Sequence, residues 1–308
     1  MVFGLLLLTV LSPIIGMLSS YGAIVVLRGI QGFVAASFAP TALTFLTELY
    51  PPKKRAASIG FISAAFLMAG IIGQVYSSVV NEAFGWNYVF YLFGFIYLGL
   101  GAAFIAAIPN DSKCTSSVRR SVFKTFTTVL TKPFFICNYF ITILLLLSFV
   151  GMYTALESKR ISWNSNKLLV RSAGIIGMLF APFGSRLARK FGAFVMIRIG
   201  LSFAGIGLFF IGLTINMTMM IVMSIVFTAG ISVTVPSVIS LISIYGGKER
   251  ATAMSLYSFF LFVGSTIGPM FAIYLMKTVT YGWIFIILSI FLGVGFFVTF
   301  FISKKGHS

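Results

Sequence analysis

Phe134–Thr154 reads FFICNYFITILLLLSFVGMYT, an uncharged run whose length decides the fold. At a rise of about 1.5 Å per residue, a helix of about 20 residues crosses the roughly 30 Å hydrocarbon core of a bilayer. The run lacks the period-two alternation of a barrel strand. In lipid every backbone N–H and C=O must be satisfied within the segment, so a run of this kind is a helix. Comparable stretches fill most of the remaining chain: Val2–Ser20, Gly22–Thr47, Ala56–Val80 and Trp86–Ile108 before it, then Leu168–Leu187, Gly192–Leu213, Met217–Tyr245, Ala251–Met276 and Gly282–Ile302 after it. The chain reads as an all-α membrane protein with about ten transmembrane helices, and the lipid bilayer is its first partner.

Composition agrees and removes rival classes. Hydrophobic residues make up 59% and charged residues 9%, against roughly 45–50% and about 25% in soluble domains, so polar side chains are too few to cover a water-exposed surface. A net charge of +17 would point to nucleic acid in a soluble chain. In a membrane chain the placement of Lys and Arg matters instead, and no nucleic-acid partner is read from it. Cys114 and Cys137 make no disulfide framework, and the one histidine, His307, sits beside the C-terminus. Neither a bis-His haem nor a His/Cys metal cage can be assembled, so no cofactor and no metal are expected. Five acidic residues leave little from which to build a catalytic cluster, so an enzyme is not expected.

If alternate breaks face the cytoplasm, one side collects Lys53, Lys54, Arg55, Lys113, Arg119, Arg120, Lys124, Lys132, Arg186, Arg189, Lys190, Lys248, Arg250, Lys304 and Lys305. The other holds Lys159, Arg160, Lys167, Arg171 and Lys277. The positive-inside rule makes the first side cytoplasmic, with both termini on it, in a multi-pass protein of the cell (inner or plasma) membrane. The break from Lys159 to Arg171 departs from that rule and stands out as a functional or misassigned region. Met1–Ser20 lacks the basic start and small-residue cleavage site of a signal peptide. The organisation expected is an incomplete N-terminal helical half over 1–108 with four spans, a basic cytoplasmic linker over 109–133, a C-terminal half over 134–303 with six spans, and a cytoplasmic tail over 304–308.

The chain also repeats itself. A shift of 195 residues brings Arg55 onto Arg250, Gly73 onto Gly268 and Tyr50 onto Tyr245, while Gly85–Trp86 meets Gly282–Trp283 and Pro40 meets Pro236 with small slips. Two parallel halves related about an axis normal to the membrane are a plan of secondary transporters. On this register residue 1 falls at the start of the third helix of a half, so two helices, roughly 60 residues by analogy with Phe134–Lys190, are expected to be missing from the first half.

Local motifs carry a resemblance to a known family. Leu27-Arg28-Gly29-Ile30-Gln31-Gly32, Gly70-Ile71-Ile72-Gly73-Gln74, the run from Gly264 to Gly268-Pro269, and Ser185-Arg186-Leu187-Ala188-Arg189-Lys190-Phe191-Gly192 look like motifs of the major facilitator superfamily. The nearest pattern is its bacterial drug:proton antiporter-like branch, YnfM-like proteins among it. The resemblance implies a six-plus-six helical bundle, here shortened, and proton-coupled transport by a monomer. It makes the first motif a fourth-helix arginine motif, the second a fifth-helix antiporter motif, and the third the counterpart of the second. The last resembles the cytoplasmic loop motif formed by Arg186, Arg189, Lys190 and Gly192. Two departures stand. The antiporter motif's Gly-Pro is Gly73-Gln74 here, and the loop motif's Asp position holds Arg189, so that Asp's charge-relay role does not carry over.

Arg28 is the most informative single residue. A guanidinium inside a span costs at least about 2.5–3.5 kcal/mol and marks a functional cavity unless it snorkels to the interface. Gln31 lies one turn along the same face. Gly70, Gly73, Gly264 and Gly268 have the spacing of small-residue helix contacts, and the expectation is that helices of different halves approach there and gate the cavity, with Pro269 as a kink. Glu157, at an outer span end beside Lys159 and Arg160, can carry protons, bind a cation or form an interfacial ion pair. Arg198 is expected to snorkel. Asn138, Tyr139, Tyr153, Thr228, Ser232, Tyr257, Ser258 and Ser265 are candidates for cavity lining or interhelical hydrogen bonds, with Tyr153 and Ser258 the candidates for touching substrate.

The leading function is a secondary transporter moving small organic or amphipathic solutes by alternating access, as proton-coupled efflux. A sugar or metabolite symporter of the same fold and an inactive truncated fragment are the alternatives.

Overall fold

The computed structural model describes residues 2–36, 38, 41–42, 52–107, 122–156 and 167–305, and among them the regular elements are helices with no strand. The helices are α1 (Val2–Met17), α2 (Tyr21–Ala36), α3 (Pro52–Phe84), α4 (Trp86–Ala107), α5 (Val122–Thr131), α6 (Pro133–Leu156), α7 (Lys167–Met178), α8 (Ala181–Phe191), α9 (Ala193–Leu213), α10 (Met217–Tyr245), α11 (Arg250–Thr278) and α12 (Tyr281–Lys305). Seven are long and apolar enough to cross a membrane, within α3, α4, α6, α9, α10, α11 and α12. The protein is an all-α, multi-pass membrane protein. α1 and α2 are apolar but shorter. Of the stretch Gly22–Thr47, residues 37, 39, 40 and 43–47 lie outside the described residues.

The stretch Leu168–Leu187 differs from its expected single span. It is two helices, α7 and α8, joined by a turn at Leu179–Phe180. Pro182 opens α8 and brings no N–H to continue α7. The last amides of α7 turn instead to nearer carbonyls, Leu179 N to Ile176 O at 3.2 Å and Phe180 N to Gly177 O at 3.3 Å, the tight pattern of a helix end. The motif expected as a cytoplasmic loop is also mostly helical. Arg186, Arg189 and Lys190 lie on α8, and the connection to α9 shrinks to Gly192. Gly192 has φ 91° and ψ 141°, a conformation essentially restricted to glycine.

The chain forms two compact units: residues 1–42 with 72–122, and residues 43–71 with 123–308. In the first, α1 packs on α4 and α2. The Pro13 ring of α1 sits where a side chain at Gly94 of α4 would stand, 2.6 Å from that position. Tyr91 of α4 donates its hydroxyl to Gly16 O at 3.3 Å. In the second unit α10 is central, packed by α6, α7, α8, α9 and α11. Its buried face runs from Met220 to Ser243 and includes Ser224, Thr228, Ser232, Thr234 and Ser237. These hydroxyls are satisfied by carbonyls of their own helix or a neighbour, as for Ser232 to Gly177 O of α7 at 2.9 Å and Ser224 to Val170 O at 3.2 Å. Buried donors in lipid-embedded helices need such partners.

Candidate functional site

The first unit contains a cavity of about 420 Å³ lined by Leu8, Arg28, Gln31, Gly32, Ala35, Ser77, Val89, Phe90, Phe93 and Tyr97. Arg28 is the seventh residue after Tyr21, so at about 1.5 Å per residue it stands roughly 10 Å along α2. Its Nη1 donates to Gln31 Oε1 at 3.0 Å. Gln31 Nε2 then donates to Ser12 Oγ of α1 at 2.8 Å, tying α2 to α1. The order of this relay follows from chemistry: a guanidinium only donates, so the amide must turn its oxygen to Arg28 and its nitrogen to Ser12. The Arg28 Cζ lies 4.9 Å from the centre of the Phe90 ring, a cation–π contact. On the same helix as Phe90, Phe93 stacks on Tyr97 at 5.9 Å with planes 22° apart and meets Tyr76 edge to face at 4.7 Å. Arg28 and Gln31, placed on one helix face by their spacing, bond to each other at a cavity. Ser12 and the aromatic wall carried no sequence signal of their own.

The other expected residues lie elsewhere. Tyr153 is fully buried in the second unit. Its hydroxyl fills the space a side chain at Gly174 would need, and the oxygen itself has no hydrogen bond among the described residues. Ser258 is buried and donates to Met254 O of its own helix at 3.1 Å. Tyr139 bridges α6 to α11 through Ala253 O at 3.0 Å, and Tyr257 is buried. Asn138 donates to Phe134 O at 2.8 Å, Thr228 to Ser224 O at 2.9 Å, and Ser265 is partly exposed. Gln74 Oε1 is buried without a hydrogen bond among the described residues. Glu157 lies outside the described residues.

Among the four expected glycines, the close contacts lie within the second unit. Side chains at Gly264 and Gly268 would meet Ile143 O at 2.5 Å and Leu147 O at 2.7 Å, so α11 closes on α6 within the same half, with Pro269 inside a helix that continues past it. Among the described residues, a side chain at Gly70 would meet Phe149 at 3.7 Å and one at Gly73 would meet nothing within 4 Å.

Two further arginines have partners that their place in the sequence did not indicate. Arg171, counted with the outer charges, lies on α7, is 5% exposed, and holds its guanidinium 5.8 Å from the Tyr153 ring centre. Its position one turn inside the apolar run from Leu168 was the available signal. Arg198 is held by α12. Its Nε donates to Thr299 Oγ1 at 3.0 Å and Nη2 to Thr299 O at 3.4 Å, and Cζ sits 4.0 Å from the Phe300 ring centre, bracketing α9 to α12. Arg186 lines a second, apolar cavity of about 440 Å³ with Phe61, Ala64, Met68, Pro182 and Phe183.

Comparison with known proteins fits this architecture. Residues 1–245 and again 175–308 match the model of the Major Facilitator Superfamily. An uncharacterized transporter of Buchnera aphidicola subsp. Schizaphis graminum is 24% identical over 272 residues, covering 85% of this chain and 65% of that protein. Multidrug resistance protein 3 of Bacillus subtilis is 28% identical over 90 residues, 29% of this chain and 18% of that protein. Multidrug export protein EmrB of Haemophilus influenzae is 30% identical over 86 residues, 28% of this chain and 17% of that protein. The chain spans less than two thirds of the length of these three relatives. Because the family matches run from residue 1 to residue 308 over an all-helical, apolar framework, the chain belongs to the Major Facilitator Superfamily.

Proposed function

We propose that this chain acts in a secondary transporter of the drug:proton antiporter-like branch, moving small organic or amphipathic solutes by alternating access as proton-coupled efflux. The observation that carries the reading is the Arg28–Gln31–Ser12 relay at the wall of a cavity between otherwise apolar helices. A charged group among apolar helices is costly and is kept where it does work. The names of the multidrug relatives support efflux as the direction. Arg28 and Gln31 contact the solute or couple its movement, and Glu157 is retained as a carboxylate for coupling, because arginine does not deprotonate. Both termini lie in the cytoplasm, the transporter works as a monomer in the cell membrane, and the halves 1–108 and 134–303 rock about the linker 109–133.

Transport into everted membrane vesicles of an amphipathic dye, driven by an imposed proton gradient, tests the function. Parent protein is expected to accumulate dye and Arg28→Lys to do so weakly at equal protein amounts, since an ammonium lacks the planar five-donor fork. Equal rates for Arg28→Ala and the parent would remove Arg28 from the site. Labelling of single cysteines at Ser112 or Gly306 by an impermeant reagent from outside would overturn the orientation.

A further inference from the structure

We propose that the first-unit cavity selects an anionic aromatic solute, a carboxylate-bearing ring system in its simplest form, with Arg28 as the residue that sets this charge preference. The proposal refines the transport reading above and rests on it.

The argument begins with what lines the space. Among the described lining residues Arg28 is the one charged side chain, and no carboxylate accompanies it. Within the described lining its positive charge therefore meets no opposite charge, and a solute in the cavity faces a net positive wall. The polar partners nearby do not offset this. Gln31 has a single amide oxygen, and that oxygen already accepts from Arg28 at 3.0 Å, while its nitrogen is committed to Ser12 at 2.8 Å. Ser77 spends its proton on Gly73 O at 2.7 Å. A cationic solute would sit beside a fixed like charge, and the Phe90 face that could hold it is already met by the guanidinium at 4.9 Å.

For an anion the same geometry is favourable. A guanidinium has five N–H donors, and Gln31 takes one. Carboxylate is the planar acceptor that matches the fork. Gln31 and Phe90 fix the guanidinium from two directions before any solute arrives, so little ordering remains to be done on binding. The rest of the lining sets the solute's body. Leu8, Val89 and Ala35 are apolar, and the stacked Phe93–Tyr97 pair offers an aromatic surface. A volume of about 420 Å³ falls in the usual range for small-molecule sites and admits a bicyclic ring with its acid group.

The test uses three probes of one shape: 1-naphthoate, 1-naphthamide and 1-naphthylmethylammonium. Equilibrium binding of each is measured on the full chain in lipid nanodiscs. Naphthoate is expected to bind about tenfold or more tightly than the amide, with the ammonium weakest, because the amide keeps an acceptor but loses the opposite charge and the ammonium sets a like charge beside Arg28. Arg28→Gln is expected to bring naphthoate and naphthamide within about twofold of each other. Arg28→Lys, which keeps the charge and controls for folding, is expected to retain the anion preference at reduced affinity. Equal binding of the three probes by the parent, binding of none, or a preserved anion preference in Arg28→Gln each overturns the proposal. Because binding is read without transport, a chain that binds naphthoate selectively yet moves no solute refutes the transport reading alone. A chain that moves dye but shows no charge preference refutes this inference alone.

Discussion

Gly73 and Gly268 occupy matching places in the repeat, yet their surroundings are opposite. At Gly268 the backbone of α6 is so close that an added carbon would stand 2.7 Å from Leu147 O and 3.1 Å from Gly151 N. At Gly73 nothing among the described residues lies within 4 Å of such a carbon. Gly264 repeats the first pattern against Ile143 O at 2.5 Å, whereas Gly70 has one aromatic atom at 3.7 Å. Sequence equivalence marks where a small residue recurs, and the neighbour decides what it does. In α11 the small residues permit backbone contact with α6. In α3 they leave room.

The sharpest break of this comparison is Gly268→Val. Its branches meet backbone, which cannot turn aside as a side chain can, and overpacking of this kind costs about 2–3 kcal/mol. Unfolding of the purified protein in mixed micelles is expected to show that loss for Gly268→Val and almost none for Gly73→Val. Equal losses at both sites would show that the repeat, not the local contact, governs them.

Next in size is the contrast between two membrane arginines. Arg198→Met removes two hydrogen bonds to Thr299 and a contact with Phe300, an expected destabilisation of about 2 kcal/mol. Arg28 is exposed with a hydrogen bond to Gln31, so Arg28→Met is expected to lower stability by less than half as much while removing transport. The same micelle unfolding measured beside vesicle transport separates the two roles, and the reverse ranking would exchange their assignments.

Smaller still is Gly192→Ala. No neighbour opposes the added methyl, so backbone strain at φ 91° is the whole effect, about 1 kcal/mol or slightly more. Gly73→Ala closes the series. With open space around it and a gain in helix propensity, it is expected to shift stability by no more than about 0.5 kcal/mol, and a larger loss would reveal a neighbour that α3 does not have in this arrangement.

Much of the architecture was legible because the bilayer constrains it so strongly. Long uncharged runs such as Met217–Tyr245 could only be helices, and they are. The break at Leu179–Phe180 was not legible. Proline is tolerated within membrane helices when neighbours satisfy the freed groups, as Pro236 and Pro269 show in continuous helices, so Pro182 alone could not announce an end. Within the candidate site, the shared helix face of Arg28 and Gln31 was legible from their spacing of three, whereas their bond to each other was not. Ser12 was not, because its link to Gln31 spans 19 positions. The partners of Arg171 and Arg198 were not legible for a related reason. Counting residues from a span's end gives depth along the helix but not which neighbour faces it.

By itself the sequence determined that this chain lives in a membrane as a helical bundle, because hydrogen-bond satisfaction in lipid leaves no other use for runs of this length and composition. It also placed Gln31 within one helical turn of Arg28 on the same face, but the hydrogen bond between them came from the structure. Only the tertiary structure decided which arginine opens on a cavity and which is a bracket, and which glycine is packed and which is open. Those distinctions depend on partners such as Thr299, 101 positions from Arg198, and Leu147, on another helix from Gly268. Such contacts form only when distant helices pack, and no local periodicity encodes them.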